Sequence, residues 1–296
     1  MYHRFSDKPE PFKIQQSIFE NQIKFLKKRY NFISLKHYAE VLNGHRDDLP
    51  DNSIIITIDD GYQDNYTYAY PVLKKHKIPA TIFLVADFIN KKAWLWSNKL
   101  EFILKESKLT EFDFPMSTDT AQFRVDDFKN WHSTQLAMFD YCRTLSNSAK
   151  DNTLNDLAKH LGVDVPDEAV ADFQPLTWAQ VREMLNSGVD FGSHTCFHSI
   201  LASVTSEELR HEIVDSKREI ETKLQVNVES FCYPNGQPKD INENVIEALE
   251  QSGYNCAVTT VRGHNKIDDA NRFLLKRMSI QGQTDKELLK EVTWNC

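Results

Sequence analysis

The stretch Ser53-Ile54-Ile55-Ile56-Thr57-Ile58-Asp59-Asp60-Gly61 decides the fold. Its first six residues form a short, mostly apolar and β-branched run, which is typical of a strand buried on both faces. Two carboxylates and a glycine follow directly, where both side chains can turn toward one pocket. Since sites in parallel α/β sheets are built at the carboxyl ends of the strands, the stretch predicts a parallel sheet with Asp59 and Asp60 at its functional edge.

A second strand pattern, Val189-Asp190-Phe191-Gly192-Ser193, leads directly into His194 and His198. Their spacing of four residues places both rings on one side of a helical turn. Two imidazoles and one carboxylate that leave a position for water are a ligand set of catalytic zinc. We therefore predict that Asp60, His194 and His198 hold a metal and that Asp59 accepts a proton. A solvated histidine pair and an Asp-Gly turn are the simpler interpretations.

These segments resemble the motifs of the polysaccharide deacetylases, carbohydrate esterase family 4, which are metal-dependent hydrolases that remove acetyl groups from sugars. The family motif T-F-D-D-G stands here as Thr57-Ile58-Asp59-Asp60-Gly61, and H-[ST]-x-x-H as His194-Thr195-Cys196-Phe197-His198. Residues 1 to 94 and 175 to 281 follow the family pattern, and the stretch between them does not. The resemblance implies an α/β fold, an incomplete, distorted (β/α)7 barrel.

The third family motif departs from the usual pattern. It commonly reads R-x-P-Y-G, whereas this chain has Cys232-Tyr233-Pro234-Asn235-Gly236, so the arginine that orients the catalytic aspartate is missing. Either another residue orients Asp59, or nothing does. The family also places an oxyanion-stabilising backbone N–H in this motif, which makes Tyr233 and Asn235 the predicted substrate-binding residues. Because proline has no N–H, Asn235 is the favoured donor.

The general acid is predicted at the start of the chain. The two remaining family motifs, which usually supply it, have no clear match in residues 237 to 296. The chain opens Met1-Tyr2-His3-Arg4-Phe5, which is similar to a branch of the family in which an N-terminal Tyr-His supplies the acid. His3 is therefore the predicted acid and His264 the substitute. The alternative is that His3 is a terminal histidine without a role.

Composition indicates one catalytic domain over residues 1–296. The chain has 296 residues, is 41% hydrophobic and carries a net charge of −8, which allows a large core and argues against nucleic-acid binding. Neither a secretion signal nor a run of roughly 18 apolar residues is visible. We expect a cytoplasmic enzyme, or an exported one if the natural N-terminus is longer. The five cysteines (142, 196, 232, 256 and 296) lack C-x-x-C spacing, which favours reduced thiols.

Strand and helix patterns alternate along the chain, which implies parallel pairing. Ser17-x-x-Glu20 and Thr205-x-x-Glu208 are predicted capping boxes. Residues 97–174 are predicted to form a mostly helical insertion that can act as a lid over the barrel mouth. Trp94, at its entry, could stack on sugar rings, although packing is the commoner role of an aromatic side chain at a domain junction.

The predicted function is removal of an N-acetyl group from an amino sugar of a bacterial surface glycan or its precursor. The expected cofactor is one divalent ion, with Zn²⁺ favoured and Co²⁺, Ni²⁺ or Fe²⁺ allowed by the same ligands. The expected partner is the N-acetylated sugar, with no nucleic acid and no membrane span. Two other functions stay open, namely an amidase on a non-sugar small molecule and a non-catalytic sugar-binding protein.

Overall fold

The computed structural model describes residues 1–116 and 119–293. It divides into two compact units. The barrel unit consists of Met1–Asn90 and the chain from Gln174 onward, and the inserted unit is Lys91–Phe173. The inserted unit overlaps the predicted insertion of residues 97–174.

Short strands and helices alternate along much of the described chain. The first part of the barrel unit contains β1 (Phe5–Ser6), β2 (Ile14–Gln15), α1 (Gln16–Lys27), β3 (Asn31–Phe32), α2 (Leu35–Leu42), β4 (Ser53–Ile54), β5 (Ile56–Ile58), α3 (Tyr70–His76), β6 (Ala80–Leu84) and α4 (Ala86–Ile89). The inserted unit contains α5 (Trp96–Lys105), β7 (Glu111–Met116), β8 (Asp119–Arg124), α6 (Phe128–Arg143) and α7 (Asn147–His160). The second part of the barrel unit contains α8 (Trp178–Leu185), β9 (Val189–Ser193), α9 (Ser206–Arg210), α10 (Ser216–Leu224), β10 (Ser230–Cys232), α11 (Glu243–Gln251), β11 (Cys256–Val258) and α12 (Asp285–Val292).

A curled parallel sheet forms the centre of the barrel unit. Within the described residues its strands lie in the order β11-β10-β9-β6-β5, with Ile56 opposite Ala80 and Ala80 opposite Val189. Tyr2 forms a parallel bridge with Ile58 at one edge, and Leu275 one with Val258 at the other. With helices packed around this sheet, the unit is an incomplete, distorted barrel, as predicted.

Local sequence explains most of the helix starts. Thr177 and Thr205 cap α8 and α9 with reciprocal side-chain hydrogen bonds, so the capping box predicted at Thr205 is confirmed. The one predicted at Ser17 is wrong, because α1 begins at Gln16 and Ser17 lies inside it. Two π-helical segments, Asn65–Ala69 before α3 and His211–Asp215 between α9 and α10, interrupt otherwise regular helices.

The inserted unit has its own core. Helices α5, α6 and α7 bury a shared apolar cluster that includes Leu100, Met138 and Leu154, all 0% exposed. An antiparallel hairpin of β7 and β8 accompanies them, so the unit is mostly helical but contains strands that the sequence patterns did not predict. Trp94 packs against Phe102 and Phe173 in this unit, which favours the packing interpretation of its ring.

Two predictions from composition can be compared with the described residues. No helix within residues 1–116 and 119–293 has the length and hydropathy of a membrane span. The four described cysteines, at positions 142, 196, 232 and 256, are buried thiols that form no disulfide with one another. Cys296 lies outside the described residues.

Candidate active site

Both predicted aspartates lie where β5 ends. Asp60 has a left-handed backbone conformation with φ of 77°, and Gly61 follows with φ of 81°. A Cβ atom on Gly61 would lie 2.8 Å from Leu84 Cδ2 and 2.9 Å from Ile89 Cδ1, so a larger residue here would have to displace these buried methyl groups. Because of this turn, the side chains of Asp59 and Asp60 do not point to opposite faces as they would in a regular strand. Both carboxylates lie close to the His194 imidazole.

His194 and His198 lie on an irregular loop that follows β9. The predicted helical turn is wrong, since Thr195 and His198 have positive φ angles of 72° and 59°, which no α-helix contains. The Thr195 hydroxyl accepts a hydrogen bond of 2.8 Å from the His198 N–H and tightens the loop. The ring centroids are nevertheless 4.8 Å apart, so the loop brings together the pair that the spacing predicted.

The arrangement of lone pairs fits a cation. Oδ1 of Asp60 lies 3.5 Å from Nε2 of His194 and 3.5 Å from Nε2 of His198. Because a carbonyl oxygen only accepts, Nδ1 of His194 donates to the Cys232 carbonyl at 2.7 Å, which leaves the Nε2 lone pair facing Asp60. Oδ1 of Asp60 is buried and has no hydrogen-bond partner among the described residues. A divalent ion would satisfy all three ligands.

Arg277 orients Asp59 in place of the missing motif arginine. Its Nη1 and Nη2 donate to the two carboxylate oxygens of Asp59 at 2.7 and 2.8 Å, and both side chains are buried. The remaining donors bind the Thr259 carbonyl, Thr57 Oγ1 and Cys232 Sγ. Sequence reasoning missed Arg277, although it lies two positions after the apolar run Phe273-Leu274-Leu275.

His3, rather than His264, lies beside Asp59, the predicted base. Tyr2 pairs with β5, and Nε2 of His3 lies 3.7 Å from Oδ2 of Asp59, with 42% of its side chain exposed. The Asn65 side chain holds the main-chain carbonyl of His3 at 2.8 Å. His264 instead donates from Nε2 to the Val292 carbonyl at the end of α12. The geometry therefore favours His3 as the candidate acid.

The two predicted substrate-binding residues differ in position. Tyr233 is 1% exposed, its hydroxyl donates to the Phe273 carbonyl, and its N–H donates to the Val258 carbonyl. Both donors are engaged in the core, so Tyr233 does not fit the predicted role. Asn235, whose backbone N–H is the predicted donor, has a left-handed φ of 57°. Its side-chain Nδ2, a second donor that was not predicted, is buried without a hydrogen-bond partner among the described residues. Asn235 stays the predicted substrate donor.

Burial and charge set the protonation states of the site. Burial raises the pKa of Asp60 to about 8, with a further rise from the Asp59 charge, and a bound cation would reverse this rise. Burial alone would also raise the pKa of Asp59, but Arg277 and then His3 outweigh it and hold that pKa below its usual range. Burial lowers the pKa of His194 to about 4. Near pH 7 the site thus has an ionised Asp59 and a neutral His194 imidazole, the form that can ligate a metal.

Comparison of sequences identifies the family. The family model described as polysaccharide deacetylase matches residues 46–257. The protein YxkH of Bacillus subtilis (strain 168) is 24% identical over 282 residues, which are 95% of this chain and 70% of that protein. A poly-β-1,6-N-acetyl-D-glucosamine N-deacetylase of Staphylococcus aureus (strain MSSA476) is 37% identical over 82 residues, which are 27% of this chain and 28% of that protein.

Solved structures share the fold. Streptococcus pyogenes deacetylase PplD, solved in complex with acetate, has a TM-score of 0.64 at 19% identity, covering 98% of this chain and 95% of that one. IcaB from Ammonifex degensii has a TM-score of 0.60 at 18% identity, covering 97% and 92%. The family match extends over most of the sequence and includes both aspartates and both histidines. The chain belongs to the polysaccharide deacetylase family.

Proposed function

We propose that this protein is a metal-dependent N-deacetylase that removes the acetyl group from an N-acetylated amino sugar of a bacterial surface glycan or its precursor. The observation that carries the proposal is the convergence of Asp60, His194 and His198 beside an aspartate that Arg277 holds ionised. Binding of sugar alone would need neither the facing lone pairs nor the oriented carboxylate. The named activity of the Staphylococcus aureus relative supports an N-acetylglucosamine polymer as the first substrate to test.

Asp60, His194 and His198 would hold the ion, with Zn²⁺ favoured and Co²⁺, Ni²⁺ or Fe²⁺ as alternatives. When bound, a divalent ion of this kind lowers the pKa of water from about 15.7 toward roughly 7 and polarises a carbonyl group. The chain's own contribution at this position is the orientation of His194, whose Nδ1 is fixed by the Cys232 carbonyl.

Asp59 would accept the proton from the attacking water. Arg277 occupies one lone pair on each carboxylate oxygen, and Cys232 Sγ lies 3.5 Å from Oδ2, so Oδ1 is the oxygen that keeps a second lone pair for a water molecule. Because the pair is buried, the carboxylate keeps one orientation and its charge. Arg277 therefore lowers the basicity of Asp59 but fixes the orientation of its carboxylate. In a closed site, orientation is the larger requirement of general base catalysis.

His3 would protonate the leaving amine. Its side chain is more exposed than those of His194 and His198, and its Nε2 faces Asp59. An imidazole that contacts the carboxylate on one side and solvent on the other can take up a proton and release it to the departing nitrogen. Asn235 would donate a hydrogen bond to the oxyanion that forms during attack.

The test is acetate release from β-1,6-linked N-acetylglucosamine oligomers, nucleotide-linked and lipid-linked N-acetyl sugars, and N-acetylated non-sugar amides. We expect wild type to act on one of the sugar classes, and Asp59→Asn and His3→Ala to lose about 10²-fold or more in rate while keeping their metal. His264→Ala is the matched control and should stay near wild type. Full activity in Asp59→Asn would refute the base, and cleavage of non-sugar amides alone would favour the amidase.

Two further proposals concern the rest of the chain. The inserted unit is proposed to act as a lid that restricts the site to a small or terminal sugar, so replacing residues 97–174 by a short linker should change substrate choice more than metal content. A cytoplasmic location is proposed for the enzyme, and fractionation of cells that produce the natural protein tests it. Unchanged substrate selectivity, or recovery outside the cytoplasm, would contradict the respective proposal.

A further inference from the structure

The loop that carries the two candidate metal histidines is held by a buried carboxylate. Glu212, which is 1% exposed, lies in the π-helical segment His211–Asp215. Its Oε2 accepts hydrogen bonds from the N–H groups of Cys196 and Phe197 at 2.8 and 3.0 Å, and its Oε1 accepts one from the Ser199 hydroxyl. Three donors of one loop therefore meet on one side chain of the neighbouring helical segment.

These donors are well placed to control the histidines. Cys196 and Phe197 are two of the three residues between His194 and His198, and Ser199 follows His198 directly. The loop contains two positive-φ residues, Thr195 and His198, a conformation that persists only when surrounding contacts impose it. Three hydrogen bonds to one buried side chain, that of Glu212, therefore restrain this part of the loop.

A second contact joins the start of α10, which follows this segment directly, to Ser193 at the end of β9. The Ser216 hydroxyl donates to the main-chain carbonyl of Glu212 at 2.6 Å and lies 2.7 Å from the Ser193 hydroxyl. Ser193 Oγ in turn accepts from the N–H of Thr195 at 3.3 Å. Glu212 of the π-helical segment and Ser216, the first residue of α10, thus contact the chain on both sides of His194. A shift of this segment would move both rings relative to Asp60.

We propose that Glu212 is a positioning residue that sets the separation and orientation of His194 and His198, so that metal affinity depends on a carboxylate that does not touch the metal. The inference rests on the metal site of the proposed function. Loss of an outer contact of this kind typically lowers metal affinity by about 10- to 100-fold.

The test is Co²⁺ affinity, measured by calorimetry and by the absorption spectrum of the bound ion, in wild type, Glu212→Ala and Glu212→Gln. Alanine leaves three loop donors without an acceptor and should weaken Co²⁺ binding by about 10- to 100-fold and alter the spectrum. Glutamine keeps the volume and one acceptor oxygen, so it should restore most of the affinity. Since the alanine variant can fail to fold, Ser199→Ala serves as a milder variant that removes one donor and should weaken binding several-fold.

Glu208→Ala is the matched control. Glu208 belongs to the capping box of α9 in the same helical region, at an exposed position. Its loss should lower the melting temperature and leave Co²⁺ affinity and spectrum unchanged. Wild-type affinity in both Glu212→Ala and Ser199→Ala, or an equal loss in Glu208→Ala, would overturn the inference alone. Failure of wild type to bind Co²⁺ would overturn the proposed metal site together with it.

Discussion

Replacing Arg277 by methionine tests how much of the site depends on one buried ion pair. All five N–H donors of a guanidinium have partners here, two on Asp59 and one each on the Thr259 carbonyl, Thr57 Oγ1 and Cys232 Sγ. The Arg277 and Asp59 side chains are 6% and 2% exposed. Methionine would fill much of the same volume without a charge or a donor, so the carboxylate would stay buried without its counterion.

The expected loss in the free energy of unfolding is about 3–5 kcal/mol, the usual effect of removing one partner from a buried pair. Arg277→Lys should lose less, because it keeps the charge but offers three donors from a single nitrogen in place of a planar fork. The double variant Arg277→Met with Asp59→Asn should be more stable than Arg277→Met alone, since neither buried side chain then carries an unpaired charge.

Urea unfolding of the single and double variants measures these differences directly. Arg182→Met is the control, because Arg182 is exposed and donates one hydrogen bond, to the Lys223 carbonyl; we expect it to stay within about 0.5 kcal/mol of wild type. A loss below about 1 kcal/mol in Arg277→Met, or strict additivity in the double variant, would show that the ion pair does not organise the site.

Three further predictions concern the backbone, the surface and the inserted unit. Gly236 and Gly253 both have positive φ, but of the two only Gly236 would bring a Cβ against backbone, 2.9 Å from the Thr260 nitrogen. In urea unfolding, Gly236→Ala should therefore lower the free energy of unfolding by at least about 1 kcal/mol more than Gly253→Ala. Equal losses would refute this. Side-chain hydrogen bonds, of which the one from Lys75 has the largest effect, lower the pKa of Glu20 to about 2. The stability that Glu20 contributes to the fold is therefore complete above its unfolded pKa near 4.5 and is lost as the pH falls toward 2. The stability difference between wild type and Glu20→Gln should therefore shrink between pH 5 and 2, and a constant difference would contradict the ion pairs. Met138 is 0% exposed in the inserted unit, and Met138→Ala should lower the unfolding free energy by about 2–5 kcal/mol; a loss below about 1 kcal/mol would mean that this core is not packed as described.

Local patterns were sufficient for the parts of the site that lie at strand ends. An apolar run followed by Asp59 and Asp60 marks such an end whatever surrounds it, and Val189–Ser193 followed by His194 marks another. Parallel pairing of β5, β6 and β9 then brings these ends together. The proximity of Asp60, His194 and His198 could be predicted because the sheet, rather than the details of the loops, determines it.

The conformation of the loop that carries His194 and His198 could not be predicted from residue spacing alone. Four-residue spacing is shared by helical turns and by many loops, and the positive φ angles of Thr195 and His198 depend on tertiary contacts such as those of Glu212. The prediction of a helical turn was wrong for this reason. Arg277 was missed because it is separated from Asp59 by 218 positions in the chain, and no local pattern connects two such residues.

The missing motif arginine has a structural explanation in Cys232, which occupies its position in the motif. Cys232 Sγ lies 3.1 Å from Arg277 Nη2 and 3.5 Å from Asp59 Oδ2. An arginine at position 232 would fill the volume through which the Arg277 guanidinium reaches Asp59. A small side chain at position 232 is therefore needed where position 277 is an arginine. Only one of the two positions then supplies the positive charge beside Asp59.

Support for Asp59 comes from segments near both ends of the sequence, and these segments are joined to each other. The Met1 amine donates to the Met278 carbonyl at 2.8 Å, and the Ile280 N–H donates to the Met1 carbonyl at 3.2 Å. Arg277 and His3 therefore approach the carboxylate from two segments that share hydrogen bonds. His3, Asp59 and Arg277 depend on these same contacts, so a change that loosens either segment should disturb the proposed acid and the proposed base together. The histidine loop has its own support in Glu212. The site thus consists of two separately held parts, one with the proposed base and acid and one with the proposed metal ligands, which meet at the end of β5.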